Sequence, residues 1–213
     1  MNHDEILLEL RNRIVKGNSE GALDFIHKAI DANIDPKQIL NKAIIHGAEE
    51  VGRKYEEDEY FLGDMLLAAD AMNECMDVIK PILTEEKHKS AGKVLIGTPE
   101  GDIHDIGKRL VVALLQGQGF EVIDLGVDVP PEKFVKEAIN INPDIIGISG
   151  LLTMTISKMT ETVVMLRKGG IKAKIVVGGG ILSEESCQYI GANAWAKDGW
   201  EGVKTIKELM EGD

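Results

Sequence analysis

Apolar residues recur at helical spacing through the first 84 positions, beginning with Ile6, Leu7, Leu10 and Ile14. Ser19-Glu20 opens a second helix carrying Ala22, Leu23, Ile26, Ala29 and Ile30. Asp35-Pro36, a cap followed by a proline where a first turn accepts one, leads into Ile39, Leu40, Ala43, Ile44, Gly47, Ala48 and Val51. After an acidic turn at 55–60, a fourth helix shows Leu62, Met65, Leu66, Ala69, Met72, Met76 and Ile79, with Pro81 near its end. Four amphipathic helices with short connections predict an antiparallel bundle over 1–84. A polar, charged stretch over 85–92 reads as a linker.

From 93 to 213 the pattern changes to short β-rich runs alternating with helical segments. Strands are expected at 93–97, 121–126, 144–149, 174–178 and 192–196, and helices at about 105–118, 131–140, 155–168, 184–190 and 200–210. Near-continuous apolar runs such as Ile145-Ile146-Gly147-Ile148 suit strands buried on both faces. The class is therefore α/β: a four-helix bundle followed by a flavodoxin-like, Rossmann-type five-stranded parallel sheet in the order 2-1-3-4-5. Ligands of such sheets bind beyond the carboxyl ends of the strands, where the order reverses. Three unusual loops fall there: 101–107 after the first strand, 149–153 after the third and 178–180 after the fourth.

The stretch Gly101-Asp102-Ile103-His104-Asp105-Ile106-Gly107 has the makings of a ligand site. His104 can offer one ring nitrogen to a metal while Asp102 takes the proton on the other, and Gly107 lets something bulky approach. Taken alone, the same residues could simply cap a helix. A flavin site stays open among the tenants of this fold, although it gives no use for His104 backed by Asp102; several others fail on residue type. GxGxxG does not follow the first strand, no P-loop occurs, and Ser149 stands where a phospho-acceptor would need Asp. His3, His27, His46, His88 and His104 are scattered, so a protein-only metal site is not indicated. One His with one carboxylate behind it suits a metal whose other ligands come from a macrocycle.

Charge and composition narrow the partners. With 36 acidic against 24 basic residues among 213, the net charge of −12 argues against general affinity for nucleic acid or anionic membrane. Cys75 and Cys187 are far apart and outside any CxxC spacing, so no disulfide framework or zinc site is expected. No apolar run approaches membrane-spanning length, and the first residues lack the pattern of a secretory leader, so the cytoplasm is the expected location.

Asp102-x-His104-x-x-Gly107, then Ser149-x-Leu151, then Gly178-Gly179 resembles the three-part signature of cobalamin-binding domains of the methionine synthase type. Tyr60-Phe61-Leu62 leading into Leu66-Leu67-Ala68-Ala69-Asp70-Ala71-Met72 is similar to the helical cap of that group, and the two-domain form resembles the small corrinoid proteins of methyltransferase systems. The resemblance implies a bound cobalamin or related corrinoid, with His104 as the lower axial ligand of cobalt, Asp102 hydrogen-bonded to its ring and Ser149 extending the relay. Gly101, Ile103, Ile106 and Gly107 would line the ring. Ser149, Leu151, Leu152, Thr153, Gly178, Gly179 and Gly180 would line the cofactor's nucleotide tail, and Phe61, Leu62 and Met65 would cover the methyl face.

The implied function is a methyl carrier, not itself catalytic, between a substrate-specific methyltransferase and a second one that uses tetrahydrofolate or a thiol coenzyme. Methylamines, betaines, methanol or methoxy-aromatic compounds would be donors, and a reductive activation protein a further partner. The competing readings are a subunit of a radical mutase and a cobalamin-dependent sensor. The sequence departs from the group at Gly63, where a proline is common, and at Gly180-Ile181, where Ala-Pro is common.

Overall fold

A computed structural model describes residues 1–85 and 90–211, and the side chains of 84 and 85 are outside it, so the expected linker lies largely beyond the described residues. The chain divides into two compact units, one of Met1–Ala91 with Ala113–Phe120, the other of Gly92–Val112 with the chain from Glu121 onward. No helix among the described residues is long and apolar enough to cross a membrane.

The first unit is built on α1 (His3–Val15), α2 (Ser19–Asp31), α3 (Pro36–Ile39), α4 (His46–Glu56) and α5 (Leu62–Glu85). Asn2 and Glu5 cap α1 reciprocally, Asn18 caps α2 through the Gly21 N–H, and Asp35 caps α3 ahead of Pro36. Ile14, Ile26, Ile39, Leu40, Ile44, Met65, Met72 and Ile79 are fully buried at its core. The third predicted helix is not uniform: α3 passes into a π-helical segment, Leu40–Ile45, before α4 resumes. Its apolar pairs, Ile39-Leu40, Ala43-Ile44, Gly47-Ala48 and Val51-Gly52, repeat every four residues. A regular α-helix of 3.6 residues per turn would rotate such a stripe by about 40° at each repeat. One wider turn takes back part of that drift and keeps the pairs facing inward.

The second unit carries β1 (Lys93–Gly97), α6 (Ile106–Gly117, whose last residues group with the first unit), β2 (Glu121–Asp124), α7 (Pro131–Ile141), β3 (Ile145–Ser149), α8 (Ile156–Lys168), β4 (Lys174–Gly178), α9 (Glu184–Ile190), β5 (Ala194–Ala196) and α10 (Gly199–Glu211). All five strands are parallel, in the order β2-β1-β3-β4-β5. Leu95, Ile146, Ile148, Ile175 and Val177 pack against Phe134 of α7, Met159, Val163 and Leu166 of α8, and Cys187 and Ile190 of α9. On α6 and α10, Gly199 and Gly202 let the backbone of α10 lie against Leu110 and Val111. The strand order reverses between β1 and β3, which opens a crevice at their carboxyl ends.

Candidate functional site

The loop from β1 to α6 is pinned at that crevice. Asp102 has no exposed surface, and its carboxylate accepts four hydrogen bonds. Oδ1 takes the His104 backbone N–H at 2.9 Å and the His104 ring Nδ1 at 2.7 Å. Oδ2 takes the backbone N–H groups of Leu151 at 2.7 Å and Leu152 at 3.3 Å. Burial pushes the Asp102 carboxyl up, but the backbone N–H groups of His104 and Leu151, then the His104 ring and Leu152, outweigh it and hold it below the ordinary range. The group is therefore ionised at neutral pH and can only accept, so the proton between them sits on Nδ1, which leaves Nε2 as the ring nitrogen that a metal can take. The His104 side chain is 49% exposed, and its Nε2 has no hydrogen-bond partner among the described residues.

Asp102 thus joins the first loop to the third. A carboxylate offers about four acceptor positions, and all four are filled. Ser149, expected to continue the relay, makes no hydrogen bond to Asp102; the peptides of Leu151 and Leu152 occupy that place. Gly150 permits this, because a Cβ there would fall on the Met159 methyl and meet Thr155 Oγ1 at 3.1 Å. Ser149 ends β3, half-buried, paired in register with Gly178.

Backbone hydrogen bonds tie the fourth loop to the third and to β5. Gly150 N–H donates to the Gly178 carbonyl at 3.0 Å, and Gly179 N–H to the Ala196 carbonyl at 3.1 Å. Gly179 has φ +141°, and a Cβ on it would fall on the Gly150 carbonyl oxygen. Gly101 (φ +84°), Gly107 and Gly180 differ: a Cβ on each would meet nothing within 4 Å. Gly107 is helical, so neither its backbone nor its protein neighbours require glycine. The rim carries exposed apolar side chains: Ile103 (74%), Ile106, Val127, Leu151 and Met154 (75%). Thr153 is also exposed, and Leu152 is half-buried.

In the first unit, Phe61 (69%) and Leu62 are exposed, whereas Met65 is 1% exposed. This departs from the expected trio. Met65 shares the inward stripe of Ala68, Ala69 and Met72, and the exposed apolar residue further along α5 is Leu67.

Two residues absent from the sequence reading hold the first loop. Thr98 is fully buried and donates from Oγ1 to the His104 carbonyl at 3.3 Å. Asp128, at φ +53°, accepts from Gly101 N–H at 2.8 Å and donates its own N–H to the Asp102 carbonyl at 2.9 Å. Neither stands at a spacing that signals such a role.

The residues present fit a metal held mainly by a macrocycle. Among the described residues no three His, Cys, Asp or Glu side chains are grouped to hold a metal ion. One imidazole is oriented by a buried carboxylate with its second nitrogen open, beside glycines that leave room and an apolar rim.

Residues 92–204 match a family model described as B12 binding domain, and residues 6–80 match a second model of that description. The dimethylamine corrinoid protein of Methanosarcina barkeri is 36% identical over 213 residues, spanning 99% of this chain and 100% of its own. Trimethylamine corrinoid protein 1 of Methanosarcina acetivorans is 36% identical over 211 residues, spanning 97% and 98%. The solved methanol:cobalamin methyltransferase complex MtaBC of Methanosarcina barkeri contains a chain that superposes with a TM-score of 0.88 at 30% identity. The match covers 99% of this chain and 81% of that one.

Proposed function

The chain belongs to the B12-binding corrinoid proteins of methyltransferase systems, and from that premise we propose that it carries a methyl group between two methyltransferases. The first takes the group from a small donor; the second passes it to tetrahydrofolate or a thiol coenzyme. Full-length similarity to proteins named for dimethylamine and trimethylamine supports a methylated amine as the donor, within a range that extends to methanol, betaine and methoxy-aromatic compounds. A reductive activation protein is the third proposed partner, and the cytoplasm the proposed location.

When bound, the corrinoid's cobalt supplies the centre that accepts and gives up the methyl group. The chain's own residues hold and orient it. His104 would hold the cobalt through Nε2, while Asp102 keeps the proton on Nδ1, which fixes the tautomer and would raise the basicity of the ligating nitrogen. Gly101, Ile103, Ile106 and Gly107 would line the corrinoid ring, and the loops at Ser149–Thr153 and Gly178–Gly180 would receive its nucleotide tail. Phe61 and Leu62 are the proposed cover of the methyl face, with Met65 serving only as core.

The carrying observation is the His104 ring, bonded through Nδ1 to a buried carboxylate and open at Nε2. Its test is the visible spectrum of the full chain reconstituted with cobalamin, compared with His104→Ala. The parent is expected to show a base-off, His-ligated spectrum that shifts in the variant while corrinoid still binds. Identical spectra would remove His104 from the role.

A further inference from the structure

The loop bearing His104 is gripped by a segment that the methyl-carrier reading does not use. Residues 124–129 run from the end of β2 alongside it. Leu125 N–H donates to the Ile96 carbonyl at 2.8 Å, Thr98 N–H to the Gly126 carbonyl at 3.0 Å and Val129 N–H to the Thr98 carbonyl at 3.0 Å. These bonds continue the strand pairing past the sheet, as far as the bridge between Pro99 and Val129. Beyond that bridge the grip passes to one residue. Asp128 takes the Gly101 N–H on its side chain and gives its own N–H to the Asp102 carbonyl, so two bonds hold the segment immediately before His104. At the far end of the loop, Lys108 is only 2% exposed and pairs with Asp124, whose other oxygen accepts from Gly126 N–H at 2.9 Å.

Asp128 makes this grip from a left-handed backbone, φ +53°, which residues other than glycine seldom adopt and which Asp and Asn tolerate best. Gly101, its partner, also has positive φ and no side chain of its own to fix it. Without the Asp128 carboxylate, the Gly101–Asp102 peptide has lost the side-chain anchor that restrains the most pliable residue of the loop. Asp102 would then be free to shift relative to the Leu151 and Leu152 peptides, and with it the proton acceptor that sets the His104 tautomer.

We propose that Asp128 is a positioning residue for the cobalt ligand: it braces Gly101–Asp102 so that Asp102 holds the Nδ1 proton and Nε2 stays presented. This rests on the corrinoid reading of His104 for its purpose, though the brace itself is a property of the protein alone.

The test compares the full chain with Asp128→Asn, Asp128→Gly and Asp128→Ala. Asparagine keeps an acceptor oxygen and the left-handed backbone, and glycine keeps the backbone but loses the acceptor, which separates the hydrogen bond from conformational strain. The first readout is the ring ¹⁵N shifts of His104 without corrinoid. The parent and Asp128→Asn are expected to show the Nδ1-protonated form, and Asp128→Gly and Asp128→Ala a shift toward the mixture of tautomers of a free imidazole. The second is a titration with cobalamin followed by visible absorption. Asp128→Gly is expected to bind about tenfold more weakly, at the low end of what outer partners of a metal ligand contribute, with a smaller His-ligated fraction. Parent-like ring shifts and parent-like binding in Asp128→Gly would overturn the proposal. A parent without a His-ligated spectrum would overturn the corrinoid reading instead, and the ring shifts distinguish the two.

Discussion

Cys75 has no exposed surface in α5, and burial, helped by Glu74, pushes its thiol up to about 12. In the unfolded chain a thiol ionises near 8.5, so above that pH the unfolded state releases a proton that the folded state keeps. Stability is therefore complete below about pH 8.5 and is lost as pH rises toward 12, at about 1.4 kcal/mol per unit. Urea unfolding at pH 8.5 and 10.5 should show a drop for the parent that exceeds the drop for Cys75→Ala by about 2–3 kcal/mol. Equal drops would mean that the thiol ionises in place. At this scale the sequence reveals side-chain chemistry but not backbone chemistry. Asp102 and His104 were legible as a pair because they stand two residues apart and their groups match. The donors on the other side of Asp102 are the peptides of Leu151 and Leu152, which no residue type announces. For the same reason Ser149 was credited with a bond that those peptides make, and Asp128, whose role depends on a positive φ, was not seen.

Elements were more legible, because their periodicities follow from burial. The strand order and the helices between strands were expected as they stand, since five apolar runs alternating with amphipathic segments leave few other arrangements. The π-helical turn at Leu40–Ile45 was not, although the four-residue repeat that it serves is visible in the sequence. The turn between α1 and α2 carries a sharper constraint. Gly17 has φ +64°, and a Cβ on it would lie 2.5 Å from Cβ of Leu67 and 3.0 Å from the Leu67 carbonyl carbon. Gly17→Ala meets both the left-handed cost, about 1–2 kcal/mol, and crowding against the backbone of α5. It should lower unfolding stability by roughly 2–5 kcal/mol, summing those two costs. Gly63→Ala, in α5 and facing open space, should change it by under about 0.5 kcal/mol. Chemical denaturation of both variants makes the comparison, and a mild Gly17→Ala would show that the turn re-forms without the contact.

At the scale of the whole molecule, the loops around His104 and the probes of folding fall in one unit. The loops at 98–107, 126–129, 149–153 and 178–180 all belong to the second unit, and so do both tryptophans, Trp195 in β5 and Trp200 in α10. Tryptophan fluorescence therefore reads the unfolding of that unit, while helical circular dichroism also reads the bundle. Ala113–Phe120, the end of α6 and the turn after it, also groups with the first unit, a crossing that a boundary drawn in the sequence at the linker does not capture. A ligand that binds only the folded form stabilises it by about 2.7 kcal/mol at a concentration a hundredfold above its dissociation constant. For a chain of this length that is a rise in melting temperature of roughly 5–11 °C. Cobalamin should therefore raise the fluorescence-detected midpoint of the full chain by that amount, once its own absorption is corrected for. The same concentration should raise it less in His104→Ala, if His104 is the ligand proposed, because the variant keeps only the surrounding loops. Fluorescence and circular dichroism need not shift together, and the gap between them measures how far stabilisation of the sheet is transmitted to the bundle. If corrinoid binds, by its spectrum, and the fluorescence midpoint stays where it was, then the second unit is not what holds it, and the crevice between β1 and β3 loses its assignment.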